Sequence, residues 1–461
     1  MTITTGPRTA PAVSTGRLPL LAVCLGYFLV ILDVTVVTVA LPTIGADLAG
    51  AVTSLQWVAD GYTLAFAGLL LFCGGLGDRF GSRAVFLVGL AVFTLASAGC
   101  GLAPGTTALV AARLVQGAGA ALMVPASLAL LRHAYPDTAE RARAFGVWGM
   151  VAGIAAAAGP VVGGALVSTV GWRAVFAVNV PFGIAGFVLT TRYVPAPART
   201  AARSGLDVPA QAAGAVCLAG LTAALIEAGA RGWTDPVVLA LFGAAAVALP
   251  AFVLLERRAR APMLPLTLFA DRRFGASAVV GVLLNLGFYG LLFAVPLYFQ
   301  RVAQLGPLAT GLAMAPMALM PVVASPLGGR LAARHGPHVP MVVGLLVGAV
   351  GLFGWLVAGH GTGYWALVAP LVLTGFGTGL TMPAATAAIM AAAPADRGGV
   401  ASAVFNAARQ TGSALGVGLV GTLMAAGTVA GLHVGVVVGG AGFAAAAVTT
   451  ALTPRPSGPV R

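Results

Sequence analysis

Residues 116–127 read QGAGAALMVPAS, and 258 residues later positions 374–385 read TGFGTGLTMPAA. Gly117, Gly119, Leu122, Pro125 and Ala126 return as Gly375, Gly377, Leu380, Pro383 and Ala384. A second pair keeps nearly the same offset: GGLGDRFG (74–81) and GRLAARHG (329–336) both read Gly-x-Leu-x-x-Arg-x-Gly, 255 residues apart. Gly159 and Gly164 likewise return as Gly416 and Gly421. A chain that repeats itself at this distance carries two copies of one multi-helix unit, and parallel repeats of that size are a transporter architecture, with the substrate site between them near the bilayer midplane.

Composition agrees. Of 461 residues 59% are hydrophobic and only 8% charged, with 64 Gly. Apolar runs of eighteen or more residues recur along the whole length, the mark of membrane-spanning helices, and small residues let such helices approach closely. The alternating strands of an outer-membrane barrel would give a weaker and shorter pattern. The runs fall at about 18–42, 54–76, 84–103, 107–131, 143–167, 173–192, 209–229, 235–255, 275–299, 308–330, 339–358, 364–391, 399–425 and 429–452. The expected fold is therefore all-α and integral to the membrane, with 14 transmembrane helices: two six-helix halves and two inserted central helices. The division reads 1–17 tail, 18–194 first half, 195–208 linker, 209–255 inserted pair, 256–273 linker, 274–452 second half and 453–461 tail.

The net charge of +13 comes entirely from arginine over acid. With the N-terminus placed in the cytoplasm, twenty Arg fall in tails and loops on that side and three (Arg173, Arg231 and Arg301) on the other. That asymmetry predicts both termini inside. The charge then reads as a topology signal with attraction for anionic lipid, not as a nucleic-acid footprint. The four Cys lie inside apolar runs without metal or disulfide spacing, and the five His show no metal spacing. No P-loop, HExxH or GxSxG is present, so an ATP motor, protease or esterase has no support.

Few ionisable residues remain inside the spans. VILDVTVVTVALP (30–42) holds Asp33 about nine residues before Pro42. Arg113 lies about six residues inside the fourth span. At 1.5 Å per residue both sit at similar depth, about 14 and 9 Å below the outer face, which allows a pair or a shared cavity. An intramembrane charge is costly, about 2.5–3.5 kcal/mol on insertion scales, and marks a functional site by default. Asp33 and Arg113 read as a proton site, or else as a static pair that fixes packing. Asp60, six residues into the second span, reads as a coupling group or as a solvated interfacial one. Glu227 falls at the end of an inserted helix and reads as facing water or headgroups. Arg409, with Asn406 and Gln410 beside it in the thirteenth span, reads as a substrate or coupling contact. Tyr27, Phe28, Asn285 and Tyr289 are candidates for the lining between halves.

GGLGDRFGSR lies in a loop on the cytoplasmic side. Gly74 and Gly81 allow close approach and a tight turn, and Asp78, Arg79 and Arg83 could bridge helix ends as a conformational latch, or simply form a solvated turn. AAAAGPVVGGAL (155–166) is a run of small residues in which Gly159, Pro160, Gly163 and Gly164 allow close packing and a bend.

Taken together these motifs resemble the major facilitator superfamily, and within it the fourteen-helix drug:proton antiporters of the methylenomycin-resistance type. GGLGDRFGSR is similar to the superfamily's loop 2–3 motif, with Ser82 where a basic residue is usual. LVAARLVQGAGAA (109–121) resembles the helix 4 motif, whose Arg would be Arg113. GPVVGG (159–164) resembles the antiporter motif, with Ala155 where its first Gly is usual. LDVTVVTVALP (32–42) resembles the helix 1 signature of the fourteen-helix group, with Thr38 for the usual Asn; WVADGYTLAF and GWRAVFAVNVPFG also fit. The resemblance implies efflux of drugs or antibiotics against inward proton flow across a bacterial plasma membrane, conferring resistance. It implies no enzyme activity, no metal and no cofactor beyond the proton motive force. The partners it implies are a small-molecule drug, protons and the lipid bilayer, with no nucleic acid and the chain acting as a monomer. Asp33 and Arg113 would couple the proton, and Asp60, Asn285, Asn406, Arg409 and Gln410 are the further substrate or coupling candidates. An exporter of a metabolite such as an amino acid or sugar, or a non-transporting membrane sensor, stays open beside this reading.

Overall fold

The structure is a computed structural model that describes residues 17–135, 137–195, 207–259, 262, 264–394 and 398–454, without the side chains of Arg17, Leu71, Asp78, Thr138, Ala139, Ala142, Gly398 and Gly399. Most of the expected tails and of the 195–208 linker, and part of the 256–273 linker, lie outside the described residues. Fifteen α-helices follow one another: α1 (Arg17–Asp47), α2 (Val52–Phe80), α3 (Ser82–Gly101), α4 (Thr106–Ala134), α5 (Thr138–Thr169), α6 (Ala174–Ala177), α7 (Asn179–Tyr193), α8 (Val208–Arg231), α9 (Pro236–Arg258), α10 (Arg272–Arg301), α11 (Pro307–His335), α12 (His338–Gly354), α13 (Tyr364–Ala391), α14 (Gly398–Ala425) and α15 (Thr428–Leu452). Short 3-10 turns cover Leu266–Ala270 and Trp355–Val357. No strand occurs among the described residues.

Among the described residues twelve helices are long and apolar enough to cross a membrane, and the protein is a multi-pass membrane protein. The expected count of fourteen is not confirmed among the described residues: α2 and α14, of 29 and 28 residues, stand outside the twelve. Asn406, Arg409 and Gln410 dilute the hydropathy of α14. The sixth span, expected as one helix over 173–192, is divided at Val178 into α6 and α7. Pro181 has no amide to donate to the carbonyl of Ala177, so the ladder opens there. Prolines also lie inside α4, α5, α10, α11 and α13. Inside a bundle neighbouring helices supply the partners that such breaks need.

The repeat read from the sequence has a packing counterpart. A methyl group added at Gly117 would lie 2.2 Å from the carbonyl oxygen of Tyr62 on α2, and one at Gly375 would lie 2.3 Å from that of Met317 on α11. Gly119 presses on α3 at Phe93, as Gly377 presses on α12 at Gly348. Only a residue without Cβ lets these backbones touch. The turns agree too: Gly81 between α2 and α3 has φ +91°, and Gly336 between α11 and α12 has φ +80°. Such values favour glycine.

α1 and α10 lie at the centre, with about two thirds of their apolar lengths buried, whereas α9 is 17% buried and forms the periphery. α8, α9 and α10 each begin on an aspartate cap: Asp207 accepts from the Ala210 amide, Asp235 from Val237 and Asp271 from Arg273. Capping carboxylates satisfy amides that a helix start leaves free. Arg273 also holds the Asp271 carboxyl below the usual carboxylate range. α8 lies against α2 and α14 together. Gln211 donates to the Gly68 carbonyl, Trp57 Nε1 donates to Glu227 at 3.0 Å, and the Thr422 hydroxyl donates to the Leu225 carbonyl. Glu227 is thus a half-buried acceptor that also pairs with Arg231 at 2.8 Å, not a group facing open water.

Candidate functional site

Four helices converge on Asp33. α1 presents the carboxylate, fully buried, where the surrounding apolar residues offer it nothing. α4 supplies Arg113 and, three residues on and so on the same helix face, Gln116. The Arg113 Nη1 group donates to Asp33 Oδ2 and, at 2.8 Å, to Gln116 Oε1. Asp33 Oδ1 accepts from Gln116 Nε2 and from Asn179 Nδ2 of α7, both at 2.9 Å. α3 closes the circuit: Ser97 Oγ accepts from Asn179 and Gln116 at 3.0 and 3.2 Å and donates to the Phe176 carbonyl at 2.9 Å. The Cys100 thiol donates to Gln116 Oε1 at 3.6 Å.

Arg113 is held on its remaining sides. Its Nε donates to the Val58 carbonyl at 2.9 Å, and its guanidinium carbon lies 4.5 Å from the Tyr62 ring centre. A buried charge pair is tolerated only where extra hydrogen bonds satisfy both ions, and here they do. Asp33 and Arg113, paired in the sequence reading only by depth, are brought into direct contact. Gln116, Asn179, Ser97 and Tyr62 were not among the sequence candidates. Two signals could have found them: the i, i+3 spacing of Gln116 from Arg113, and an asparagine just before Pro181 in an otherwise apolar segment.

Two small cavities open beside this cluster. One, of about 20 Å³, touches Arg113 and is lined by Val34, Thr38, Thr63, Tyr289 and Phe293 among others. The other, of about 30 Å³, is lined by Tyr27, Tyr62, Phe66, Tyr289, Asn406, Arg409 and Gln410 among others. Each has room for about one or two waters. Val34, Thr63 and Tyr289 belong to both linings and separate the two spaces. Tyr27 stacks on Trp148 with ring centres 3.6 Å apart.

The other candidates scatter. Asp60 is fully buried, and among the described residues neither carboxylate oxygen has a hydrogen-bond partner. α8 and α14 cover it, with Gly418 alongside, so the solvated alternative does not hold. Asn285 turns back on its own helix, donating to the Gly281 carbonyl at 2.8 Å, and lines neither cavity. Phe28 faces Phe182, ring centres 6.2 Å apart, outside both linings.

At the Gly81 turn, Arg83 donates to the Thr191 carbonyl at 2.7 Å and so caps the last turn of α7. Arg79 lies over the Phe80 ring. The Asp78 side chain lies outside the described residues. Gly74 is inside α2, where an added methyl would meet only Pro125 at 4.0 Å, so no close approach depends on it.

The small residues of α5 work in two directions. Methyl groups at Gly159 and Gly163 would strike Thr35 and the Val36 carbonyl of α1, at 1.9 and 2.8 Å. One at Gly164 would strike the Pro307 carbonyl of α11 at 2.6 Å, and one at Gly311 of α11 the Pro160 carbonyl at 2.1 Å. α5 is therefore wedged between α1 and α11 along this segment.

Residues 23–417 match the family described as the Major Facilitator Superfamily. The chain is 37% identical over 427 residues to the methylenomycin A resistance protein of Streptomyces coelicolor, covering 91% of this chain and 90% of that one. It is 40% identical over 412 residues to the tetracenomycin C resistance and export protein of Streptomyces glaucescens, covering 88% and 75%. To a multidrug resistance protein of Mycobacterium tuberculosis it is 37% identical over 412 residues, covering 89% and 76%. With the family match running through both copies of the repeat, the chain belongs to the Major Facilitator Superfamily of membrane transporters.

Proposed function

We propose that the protein exports a drug or antibiotic in exchange for protons across a bacterial plasma membrane and so confers resistance. The relatives named for resistance to methylenomycin A, to tetracenomycin C and to multiple drugs support export. The observation that carries proton exchange is the Asp33 cluster. A carboxylate and a guanidinium meet at the junction of four helices, next to a cavity, and the carboxylate's own bonds come from α4 and α7.

Protonation of Asp33 removes the one carboxylate that, among the described residues, pairs with Arg113, so the network must rearrange. Arg113 would then move toward the cavity it already borders, and the four helices would shift with it. That links the proton to the conformation that opens the substrate path. Asp60, unpartnered between α2, α8 and α14, is the other carboxylate placed to take part. The arginine distribution supports both termini in the cytoplasm. α2 and α14 complete fourteen crossings on this reading, each running beside helices that are themselves long enough to span. Residues 18–194 and 274–452 form two six-helix halves around the inserted pair at 209–255, with the chain acting as a monomer, and the Arg79–Arg83 turn is the latch.

The test uses inverted membrane vesicles with an acid interior. Addition of methylenomycin A or tetracenomycin C should alkalinise the interior with the native protein, and the response should vanish in Asp33→Asn. Drug-dependent alkalinisation that persists unchanged in Asp33→Asn would remove Asp33 from the proton path. Resistance profiles in a host stripped of pumps should show protection against one or more antibiotics; protection against none, with flux of an amino acid or sugar, would favour a metabolite exporter.

A further inference from the structure

Arg113 on α4 and Arg409 on α14 both lie well inside their helices, and their surroundings differ. Arg113 has a carboxylate, a backbone carbonyl and an amide oxygen as acceptors. Among the described residues Arg409 on α14 has one acceptor, the uncharged Asn406 Oδ1, at 3.3 Å from its Nη1, and its buried Nε has no partner. Among the described residues no Asp or Glu lines the cavity that Arg409 borders. Asp33 is committed to Arg113, Gln116 and Asn179. A guanidinium carries five donors in a planar fork that matches a carboxylate, and within a membrane it needs a counter-charge.

We infer that this cavity receives the acidic end of the exported substrate, and that the substrate class is an organic acid: an aromatic or conjugated molecule bearing a carboxylate or an ionised enol. The inference rests on the export reading above and sharpens it. The cavity, about 30 Å³, accepts a group of carboxylate size and not a whole drug. The walls beside Arg409 are the rings of Tyr27, Tyr62, Phe66 and Tyr289, which suit a flat conjugated neighbour. Gln410 offers an amide donor next to the guanidinium, while the Asn406 amide is already used on the Ser402 carbonyl at 3.0 Å. An amine-bearing drug would find a positive charge and no acceptor acid. An anion leaving and a proton entering both carry positive charge inward, so the membrane potential as well as the pH difference would drive the exchange.

A matched set of probes tests this: 2-naphthoate, 2-naphthamide and 2-naphthylmethylamine, titrated onto the purified full chain in detergent. The acid should bind about tenfold or more tightly than the amide, as a charge-assisted hydrogen-bonded pair requires. The amine should bind most weakly. Arg409→Gln should abolish the preference for the acid, with thermal unfolding at or above the native midpoint as proof of folding, and Arg409→Lys should restore part of it. Equal or tighter binding of the amine, binding of none of the three, or an acid preference that survives Arg409→Gln would overturn the inference. The titration needs no gradient. Acid preference that depends on Arg409 alongside absent drug–proton exchange would sink the export reading alone; exchange without that preference would sink this inference alone.

Discussion

α4 and α13 are copies of one helix, and they differ at the positions that matter. Their glycines make the same contacts: Gly117 and Gly375 each rest on a carbonyl of the neighbouring helix, and Gly119 and Gly377 each press on the next. At the same 258-residue offset Arg113 is matched by Leu371 and Gln116 by Thr374. The first copy therefore carries a hydrogen-bonded charge pair inside a scaffold that the second copy builds with an apolar side chain and a lone hydroxyl. Among the described residues the buried Thr374 Oγ1 has no partner, while Gln116 holds four. The scaffold does not need the charges. Their presence in one copy only supports the proposed role in exchange over a role in folding.

This comparison can be broken most severely at the pair itself. Asp33→Asn leaves Arg113 buried without its counter-ion and should cost about 3–5 kcal/mol of stability. Adding Arg113→Leu, which copies the second half, should recover much of that loss while drug–proton exchange stays absent. Thermal unfolding in detergent beside vesicle transport measures both; a double variant no more stable than the single one would contradict the view that the scaffold tolerates an apolar pair.

The packing side of the comparison predicts symmetry. Gly117→Ala and Gly375→Ala each drive a methyl into a backbone carbonyl and should each destabilise by about 1–3 kcal/mol, by similar amounts. Gly311→Ala should fall in the same range, because the Pro160 carbonyl stands in the way. A large inequality between Gly117→Ala and Gly375→Ala in denaturant titrations would show that the repeat is not mechanically equivalent.

The polar side predicts asymmetry. Gln116→Leu orphans bonds to Arg113, Asp33 and Ser97 and should cost about 1–3 kcal/mol. Thr374→Val removes a hydroxyl that has no partner and should leave stability unchanged within about 0.5 kcal/mol. The smallest effect expected is at the turn: Arg83→Ala uncaps α7 and should cost about 0.3–1 kcal/mol. Equal losses for Gln116→Leu and Thr374→Val would erase the contrast between the copies.

Much of this was legible in the sequence. The helices, the repeat and the charged site residues announce themselves, because a charge within an apolar span is rare and a glycine at a fixed offset marks a close approach. Depth alone makes a pair or a shared cavity of Asp33 and Arg113 feasible. What stayed hidden depends on rotation about the helix axis. Depth could not tell that Asp60 would be sealed under α8 and α14, or that Asn285 would spend its amide on its own helix. Ser97, Gln116 and Asn179 are neutral, and neutral polar residues scattered through spanning helices mostly bond to their own backbones, as Thr94 does here to the Leu90 carbonyl. Glu227 looked peripheral because it lies on an inserted helix, and only the packing of α8 on α2 brings Trp57 to it.

The central claim is that Asp33 carries the exchanged proton. The most direct test compares two activities of one preparation in proteoliposomes: accumulation of drug driven by a pH gradient, and exchange of labelled for unlabelled drug without a gradient. If the account holds, Asp33→Asn keeps the exchange and loses the driven accumulation. If Asp33→Asn still accumulates drug against a concentration gradient at the native level, the proton travels elsewhere and the account is wrong.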